Sequence, residues 1–352
     1  MDKVFISFDS HKRYTLCSVE DAGGEIMEET RIDHKPGAIS GYLKRWPQGN
    51  EVAVETIGNW YWIVDEIEAA GMKPLLVHAR KAKMMLCSAN KTDSLDVRGL
   101  NRLQRNQVLP SVWIPPSDLR DRRDLPRTRM RFVKLRTNLK SRLHATLDKY
   151  AIGVPDVSDI YGKKGRPELE KNLEQLPENT RFAARLQLGQ IDVLETEINA
   201  INARMEEKFK KNEEIVLLET LPGIGFILAV VAWTEIGDIT RFRSCQRLAA
   251  YAGTTPRVHS SGGKSRHGHL RVDVNRYLKW AFAEAANSIS AHHKKLPHRH
   301  VSAMYVKIRE RKGHQKAVGA VARHLAEAVY YVLSKKKEYV DPACGRVSSM
   351  RA

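Results

Sequence analysis

Val4-Phe5-Ile6-Ser7-Phe8-Asp9, followed by Ser10-His11-Lys12, is the stretch on which the reading of the fold turns. The apolar run is short, rich in β-formers, and stops on an acid before a polar turn, as a buried strand does. Tyr14 to Val19 makes a second run of this kind. Asp21-Ala22-Gly23-Gly24 is a turn, and Glu25 to Ile32 is a third, alternating stretch. Beyond it, a helical segment near Ala38 to Trp46 precedes the short strand Glu51 to Glu55. A helix over about Trp60 to Ala70 then precedes the strand Pro74-Leu75-Leu76-Val77.

Three hairpin-linked strands followed by alternating helix and strand make the ribonuclease-H-like order, an α/β mixed sheet flanked by helices. This assigns residues 1–116 to one domain. Residues 117–213 read as a basic, long helical region of coiled-coil character, and 214–337 as a mainly α domain with glycine-rich interruptions. Residues 338–352, with Lys335-Lys336-Lys337 before them, read as a mobile tail.

At 352 residues and 42% hydrophobic content, the chain can build more than one real core and is no disordered polybasic tail. It carries 59 Lys and Arg against 41 Asp and Glu, a formal net charge of +18. Charge of that size on a folded protein points to nucleic acid or an anionic membrane surface. No apolar run approaches the roughly 18 to 20 residues of a bilayer span. The opening Met1 to Asp9 also lacks the basic start and cleavage site of a signal peptide. The expectation is a soluble protein of the bacterial cytosol or nucleoid with no membrane partner. Cys17, Cys87, Cys245 and Cys344 are far apart, without CxxC or zinc-finger spacing, and read as reduced core residues.

Between Arg120 and Arg142 ten Arg and Lys stand against two Asp, a net of +8. A solvated helix face mixes both signs, so the imbalance favours phosphate contact, with Arg127, Arg129, Arg131, Lys134, Arg136 and Lys140 as the candidates. Pro126 is expected to break or start this helix, and Ala151 to Pro167 reads as a loop or linker. In the next long helix Ile191, Leu194, Ile198, Ile201, Met205 and Phe209 recur at alternating threes and fours. That seam suits a helical hairpin, a dimeric coiled coil, or packing on its own domain. His292, His293, His298 and His300, with His267 and His269, lie among Lys and Arg that disfavour a cation, and read as solvated or phosphate-facing.

Four acids carry the first chemical reading. Asp9 closes the first strand and Glu55 the fourth, and in this order those strands are parallel neighbours, so both carboxylates emerge at one end of the sheet. Asp93 and Asp96, in Asn90-Lys91-Thr92-Asp93-Ser94-Leu95-Asp96, open a helix one turn apart on one face. Clustered carboxylates repel unless cations lie between them, and hard oxygen ligands select Mg²⁺ or Mn²⁺. Two such ions can activate an attacking oxygen and stabilise a leaving one on phosphorus. Taken singly, each acid also has a structural reading, as turn chemistry or as a partner of a helix dipole.

The second constellation runs from Leu248 to Lys264 and ends in His259-Ser260-Ser261-Gly262-Gly263-Lys264. Adjacent hydroxyls beside two glycines, with Arg257, Lys264 and Arg266 nearby, would set a nucleophile against a phosphate. An ordinary polar, basic loop has the same composition. Upstream, Leu221-Pro222-Gly223-Ile224-Gly225 resembles a helix-hairpin-helix turn, whose Gly223 and Gly225 would let backbone N–H groups approach a DNA phosphate. Glycine turns between packed helices are also commonplace.

Phe8-Asp9-Ser10-His11-Lys12, Val54-Glu55-Thr56-Ile57-Gly58, Val77-His78-Ala79-Arg80-Lys81 and Asn90 to Arg98 resemble the DEDD, RuvC-like domain of the IS-one-ten insertion-sequence transposases over about Lys3 to Arg105. The 248–264 segment, with Gly268 and Asn275-Arg276-Tyr277-Leu278-Lys279, is similar to the same family's C-terminal serine domain. There the serine of an S-[ST]-G-G stretch is the nucleophile, which maps onto Ser260, with Ser261 as the fallback. Arg271-Val272-Asp273-Val274 departs from the more basic, Gly-containing stretch of the pattern. The resemblance implies a transposase that cuts and rejoins DNA through a phosphoserine, with Mg²⁺ (or Mn²⁺) on Asp9, Glu55, Asp93 and Asp96. It also implies DNA element ends and target as partners, and a structured guide RNA that pairs with them. A homo-oligomer, dimer or tetramer, would join one subunit's RuvC-like domain to another's serine domain. Two rivals remain, a metal-dependent junction resolvase or nuclease in which Ser260 is structural, and a non-catalytic nucleic-acid scaffold.

Overall fold

The structure is a computed structural model that describes residues 3–86, 92–154 and 156–342. The chain divides into two compact units, Met1–Pro115 and Pro116–Ala352.

The first unit holds β1 (Phe5–Ser10), β2 (Tyr14–Glu20), β3 (Ile26–Asp33), α1 (Ala38–Leu43), β4 (Glu51–Glu55), α2 (Trp60–Ala69), β5 (Lys73–Val77), α3 (Ala79–Leu86) and α4 (Asp93–Arg105). Its five strands lie in the order β3-β2-β1-β4-β5. The first three pair antiparallel, and β4 and β5 add on parallel to β1. Because side chains alternate along a strand, the sheet has two distinct faces. Ile6, Phe8, Cys17, Val19, Val52, Val54 and Leu76 form one core with Ile39 and Leu43 of α1 and Ile63, Val64 and Ile67 of α2. On the other face, Ala53 and Val77 meet Ala82 of α3 and Leu100 and Leu103 of α4.

In the second unit, α5 (Ser117–Lys149) and α7 (Glu178–Phe209) are the long helices. Cross-links from Arg129 to Asn202, Arg136 to Glu195 and Tyr150 to Thr180 fix them as an antiparallel hairpin. The α7 seam is largely consumed inside the chain, with Ile191, Ile198, Met205 and Phe209 buried. Residues 150–165 are more than a linker, since Ile152 and Ile160 join Leu143, Leu147 and Leu188 in a core that also takes α6 (Arg166–Leu173). Pro126, expected to break the helix, lies buried inside an unbroken α5. Its ring removes one N–H from the ladder, and the packing around it tolerates that loss.

The remainder comprises α8 (Glu213–Glu219), α9 (Phe226–Ile236), a 3₁₀ turn (Ile239–Arg241), α10 (Cys245–Tyr251), β6 (Pro256–Ser261), β7 (Lys264–Leu270), α11 (Arg276–His292), α12 (His300–Lys312) and α13 (His314–Lys335). The glycine-rich interruption at the serines is therefore an antiparallel β-hairpin and no loop. Gly262 and Gly263 both have positive φ, 55° and 76°, the backbone that a two-residue hairpin turn demands. Residues 338–342, read from the sequence as the start of a mobile tail, are tied down. The Tyr339 amide donates to Thr220 Oγ1 at 2.9 Å, and Asp341 accepts from the His300 amide at 3.1 Å. Residues 343–352 lie outside the described residues, as do Cys87 and Cys344. Cys17 and Cys245 are buried free thiols. Burial pushes the Cys17 thiol up to about 12, so it stays protonated and unreactive.

One buried carboxylate joins three elements of this unit. Glu235 of α9 is ion-paired by Arg127 of α5 at 2.6 Å and accepts from Asn275 Nδ2 at 2.8 Å. Arg123, also on α5, donates to the carbonyls of Thr234 and Glu235 at 2.8 and 3.0 Å. Burial holds its guanidinium below the ordinary arginine value, against the pull of Glu235. Removing one partner of such a buried network strands the other charges. Glu235→Gln is expected to cost about 3–5 kcal/mol, read as a lowered midpoint in denaturant unfolding.

Candidate metal centre and serine hairpin

The parallel register pairs Ile6 with Val52, Ser7 with Ala53 and Phe8 with Val54. One step further, Asp9 and Glu55 fall side by side at the carboxyl end of β1 and β4. Phe8 and Val54 point into the α1/α2 core, so Asp9 and Glu55 point to the opposite face, which α4 covers. Ser7, Ser18 and Ala53 are small on that face, which lets the helix approach closely.

Four side chains of α4 fix its position on the sheet. Arg98 makes a bidentate pair with Glu29 of β3 at 2.6 and 2.7 Å. Asn101 donates to the Ser18 carbonyl and Gln104 to the Glu51 carbonyl, each at 3.1 Å. Arg105 pairs with Glu20 at 2.7 Å. Thr92 caps the helix by accepting from the Leu95 amide at 3.3 Å, and Asp93 and Asp96 fall in the first turn as the spacing predicts.

The result is a convergence at the sheet edge. Asp9, His11 and Asp93 each offer a ligand atom, and the three atoms lie within 4.8 Å of one another. His11 Nε2 stands 3.1 Å from Asp93 Oδ2 and 3.4 Å from Asp9 Oδ2. Tyr14 points its hydroxyl at the same Asp93 oxygen, 3.5 Å away. That three-atom cluster does not take in Glu55 or Asp96, although both are half-buried and flank it by register and by helical turn. These residues fit a divalent cation, because two carboxylates and a dehydrated ring nitrogen with no hydrogen bond converge there. Sequence reasoning treated His11 only as part of a polar turn. Its position two residues after the strand-closing acid was the available signal.

In the second unit, Ser260 is exposed on β6, two residues before the glycine turn, and pairs in register with Ser265 of β7. Arg266 pairs with His259, which sets it on the other face of the ribbon from Ser260. Arg257 is exposed. The side chains of Ser261, Lys264 and His267 lie outside the described residues. The base of the hairpin is fixed by its flanks. Thr254 Oγ1 donates to the Ala249 carbonyl at 3.0 Å, and the Asn275 amide to the Tyr251 carbonyl at 2.9 Å. Asn275 also caps α11 and reaches Glu235.

The turn Leu221 to Gly225 does join two helices. Gly223 has φ 74°, and a Cβ there would meet the Ala285 carbonyl oxygen of α11 at 2.5 Å. Gly225 is exposed, has an ordinary φ of −93°, caps α9, and has open space where a Cβ would go. Of the basic candidates on α5, Arg131 and Lys134 are exposed. Arg127, Arg129 and Arg136 are engaged inside the unit by Glu235, Asn202 and Glu195, and the Lys140 ammonium lies 4.5 Å over the Tyr161 ring. Among the other histidines, His292 and His293 contact the carbonyls of Ser288 and Ser290, and His300 lies 5.2 Å from His324.

A DEDD transposase model of the IS110 type matches residues 6–152, and a second, described as Transposase IS116/IS110/IS902 family, matches residues 216–301. The chain belongs to the IS110/IS116/IS902 family of insertion-sequence transposases. It is 22% identical over 252 residues to the transposase for insertion sequence element IS1111A of Coxiella burnetii, covering 71% of this chain and 69% of that one. It is 25% identical over 214 residues to the transposase for insertion sequence element IS1328 of Yersinia enterocolitica, covering 61% and 63%. Membership implies a DNA-binding enzyme that cleaves and rejoins DNA. Among the described residues no helix is long and apolar enough to cross a membrane.

The Glu29–Arg98 clamp makes a pH-dependent prediction. The guanidinium of Arg98 holds the Glu29 carboxyl below its ordinary 4.5. The pair's contribution is therefore fully present above pH 4.5 and fades as pH falls through the lower folded value. Both groups are partly exposed, so Arg98→Ala should cost about 1 kcal/mol or less at pH 7. In urea unfolding that difference from wild type should shrink progressively as pH is lowered below 4.5.

Proposed function

We propose that this transposase breaks and rejoins DNA through a covalent phosphoserine at Ser260, assisted by divalent cations on Asp9, Glu55, Asp93 and Asp96. The observation that carries the reading is the convergence of Asp9 and Asp93 where β1 ends beneath the first turn of α4. The strand order β3-β2-β1-β4-β5 supports a ribonuclease-H-like, RuvC-like catalytic domain over about residues 1–116. Residues 117–213 form the helical spacer and 214–337 the serine domain.

In the proposed step, Ser260 Oγ attacks phosphorus, the bond from phosphorus to a sugar oxygen breaks, and that oxygen takes up a proton. Attack by another strand's hydroxyl on the phosphoserine releases Ser260 and restores a phosphodiester, so no bond energy is lost. Mg²⁺ or Mn²⁺ at the acids would stabilise the attacking and leaving oxygens. An exposed serine on a ribbon with a fixed base suits a group that must enter a nucleic-acid backbone. Arg131, Lys134, Arg257 and Arg266 supply cationic side chains for phosphates. Sequence choice falls to a structured guide RNA, and an oligomer supplies the acids and the serine of one site from different subunits.

Incubation with DNA carrying the element ends, the flanking RNA and Mg²⁺ should give a denaturant-resistant protein–DNA adduct with wild type and none with Ser260→Ala. Asp9→Asn should reduce adduct yield by at least the roughly 10–100-fold that loss of a supporting metal-site group costs. Cutting by Ser260→Ala at the wild-type rate would replace this reading with that of a metal-dependent nuclease. Gly225→Ala tests the glycine turn separately. With open space at that Cβ, stability should change by less than about 0.5 kcal/mol, while affinity for duplex DNA in a gel-shift titration should fall.

A further inference from the structure

We infer that His11 is a direct metal ligand through Nε2, which makes the centre a mixed nitrogen–oxygen site that favours Mn²⁺ over Mg²⁺. The inference rests on the proposed reading that the acids bind a cation, and it specifies which cation and why.

The backbone of His11 is fixed at both ends. Its amide donates to the Tyr14 carbonyl at 2.8 Å, and its carbonyl accepts from Asn59 Nδ2 at 3.0 Å. The ring lies against Tyr14, with centroids 4.6 Å apart and an interplanar angle of 34°. The guanidinium of Arg31 sits over the same Tyr14 ring at 4.1 Å and is itself held by Asp33 at 2.9 Å. The imidazole is thus an oriented group, stacked in place from the β1–β2 turn.

Its outward nitrogen is the unusual atom. Nε2 is shielded from solvent and makes no hydrogen bond, although carboxylate oxygens of Asp93 and Asp9 stand 3.1 and 3.4 Å away. A dehydrated nitrogen at those distances with neither oxygen aligned to it forfeits a hydrogen bond it is close enough to make. The spacing suits ligands instead. Around an octahedral ion with bonds near 2.1 Å, ligand atoms at right angles are about 3 Å apart. A cation between the three atoms would use the lone pair of Nε2, with the ring proton on Nδ1, and would relieve the repulsion of the two carboxylates.

A nitrogen donor changes selectivity. Mg²⁺ is a hard ion that prefers oxygen and keeps its waters, whereas the first-row divalent ions accept imidazole. Two carboxylates and one imidazole therefore shift the balance toward Mn²⁺, the ion of that row that best accepts oxygen ligands as well.

The test uses the full chain loaded with Mn²⁺ and pulsed electron paramagnetic resonance. Wild type should show hyperfine coupling of Mn²⁺ to an imidazole ¹⁴N, and His11→Ala and His11→Gln should lose it. Calorimetric titration should show those variants weakened for Mn²⁺ by roughly tenfold or more and for Mg²⁺ by far less. Bound Mn²⁺ without nitrogen coupling in wild type would overturn the assignment of His11 while leaving the carboxylate site intact, and this outcome needs no variant to fold. Equal weakening for both ions would overturn it too. Mn²⁺ binding unaffected by Asp9→Asn and Asp93→Asn would instead overturn the carboxylate reading itself.

Discussion

The parallel pairing of β1 with β4 is the constraint on which the first unit depends. Register and a side-chain period of two leave Asp9 and Glu55 no choice of face once Phe8 and Val54 are buried together. A slip of β1 by one residue would turn Asp9 into the α1/α2 core and Ile6 and Phe8 out of it. The cost of exposing Ile6 and Phe8, about 1.5–3 kcal/mol each, exceeds what repulsion between two carboxylates at the sheet edge can oppose. Hydrophobic burial therefore holds like charges together, and the chemistry takes advantage of that enforced proximity.

The second unit follows a different logic. Its long helices bury their own seam, and one sequestered acid, Glu235, gathers Arg127 and Asn275 while Arg123 binds the carbonyls beside it. Arginines that composition alone would assign to phosphates are thereby drawn into architecture. The same hub steadies the root of the serine hairpin through Asn275, so a ribbon of polar residues with little core of its own is still held at a defined place.

What could be read from the sequence follows from how local each determinant is. The strands, the first turn of α4 and the direction of Asp9 and Glu55 came from alternation, turn residues and capping spacing, all of which act within a few residues. The hairpin at 256–270 was missed because Arg, His and Ser are weak strand formers. Its clearest sign was the Gly262-Gly263 pair, whose positive φ angles fit a tight turn. Pro126 was misread because its tolerance depends on neighbours that pack against α5. Glu235 could not be found by pattern, since it acquires its role from residues up to 112 positions away in the chain.

The anchoring of α4 bears on how the proposed centre would meet an ion. Arg98, Asn101, Gln104 and Arg105 hold the body of the helix, and Thr92 closes its start. The acidic lip is therefore assembled during folding, when its ordering entropy is offset by the rest of the unit. On the proposed reading, an arriving cation would have only water to shed, and none of its binding energy would be diverted into winding a helix.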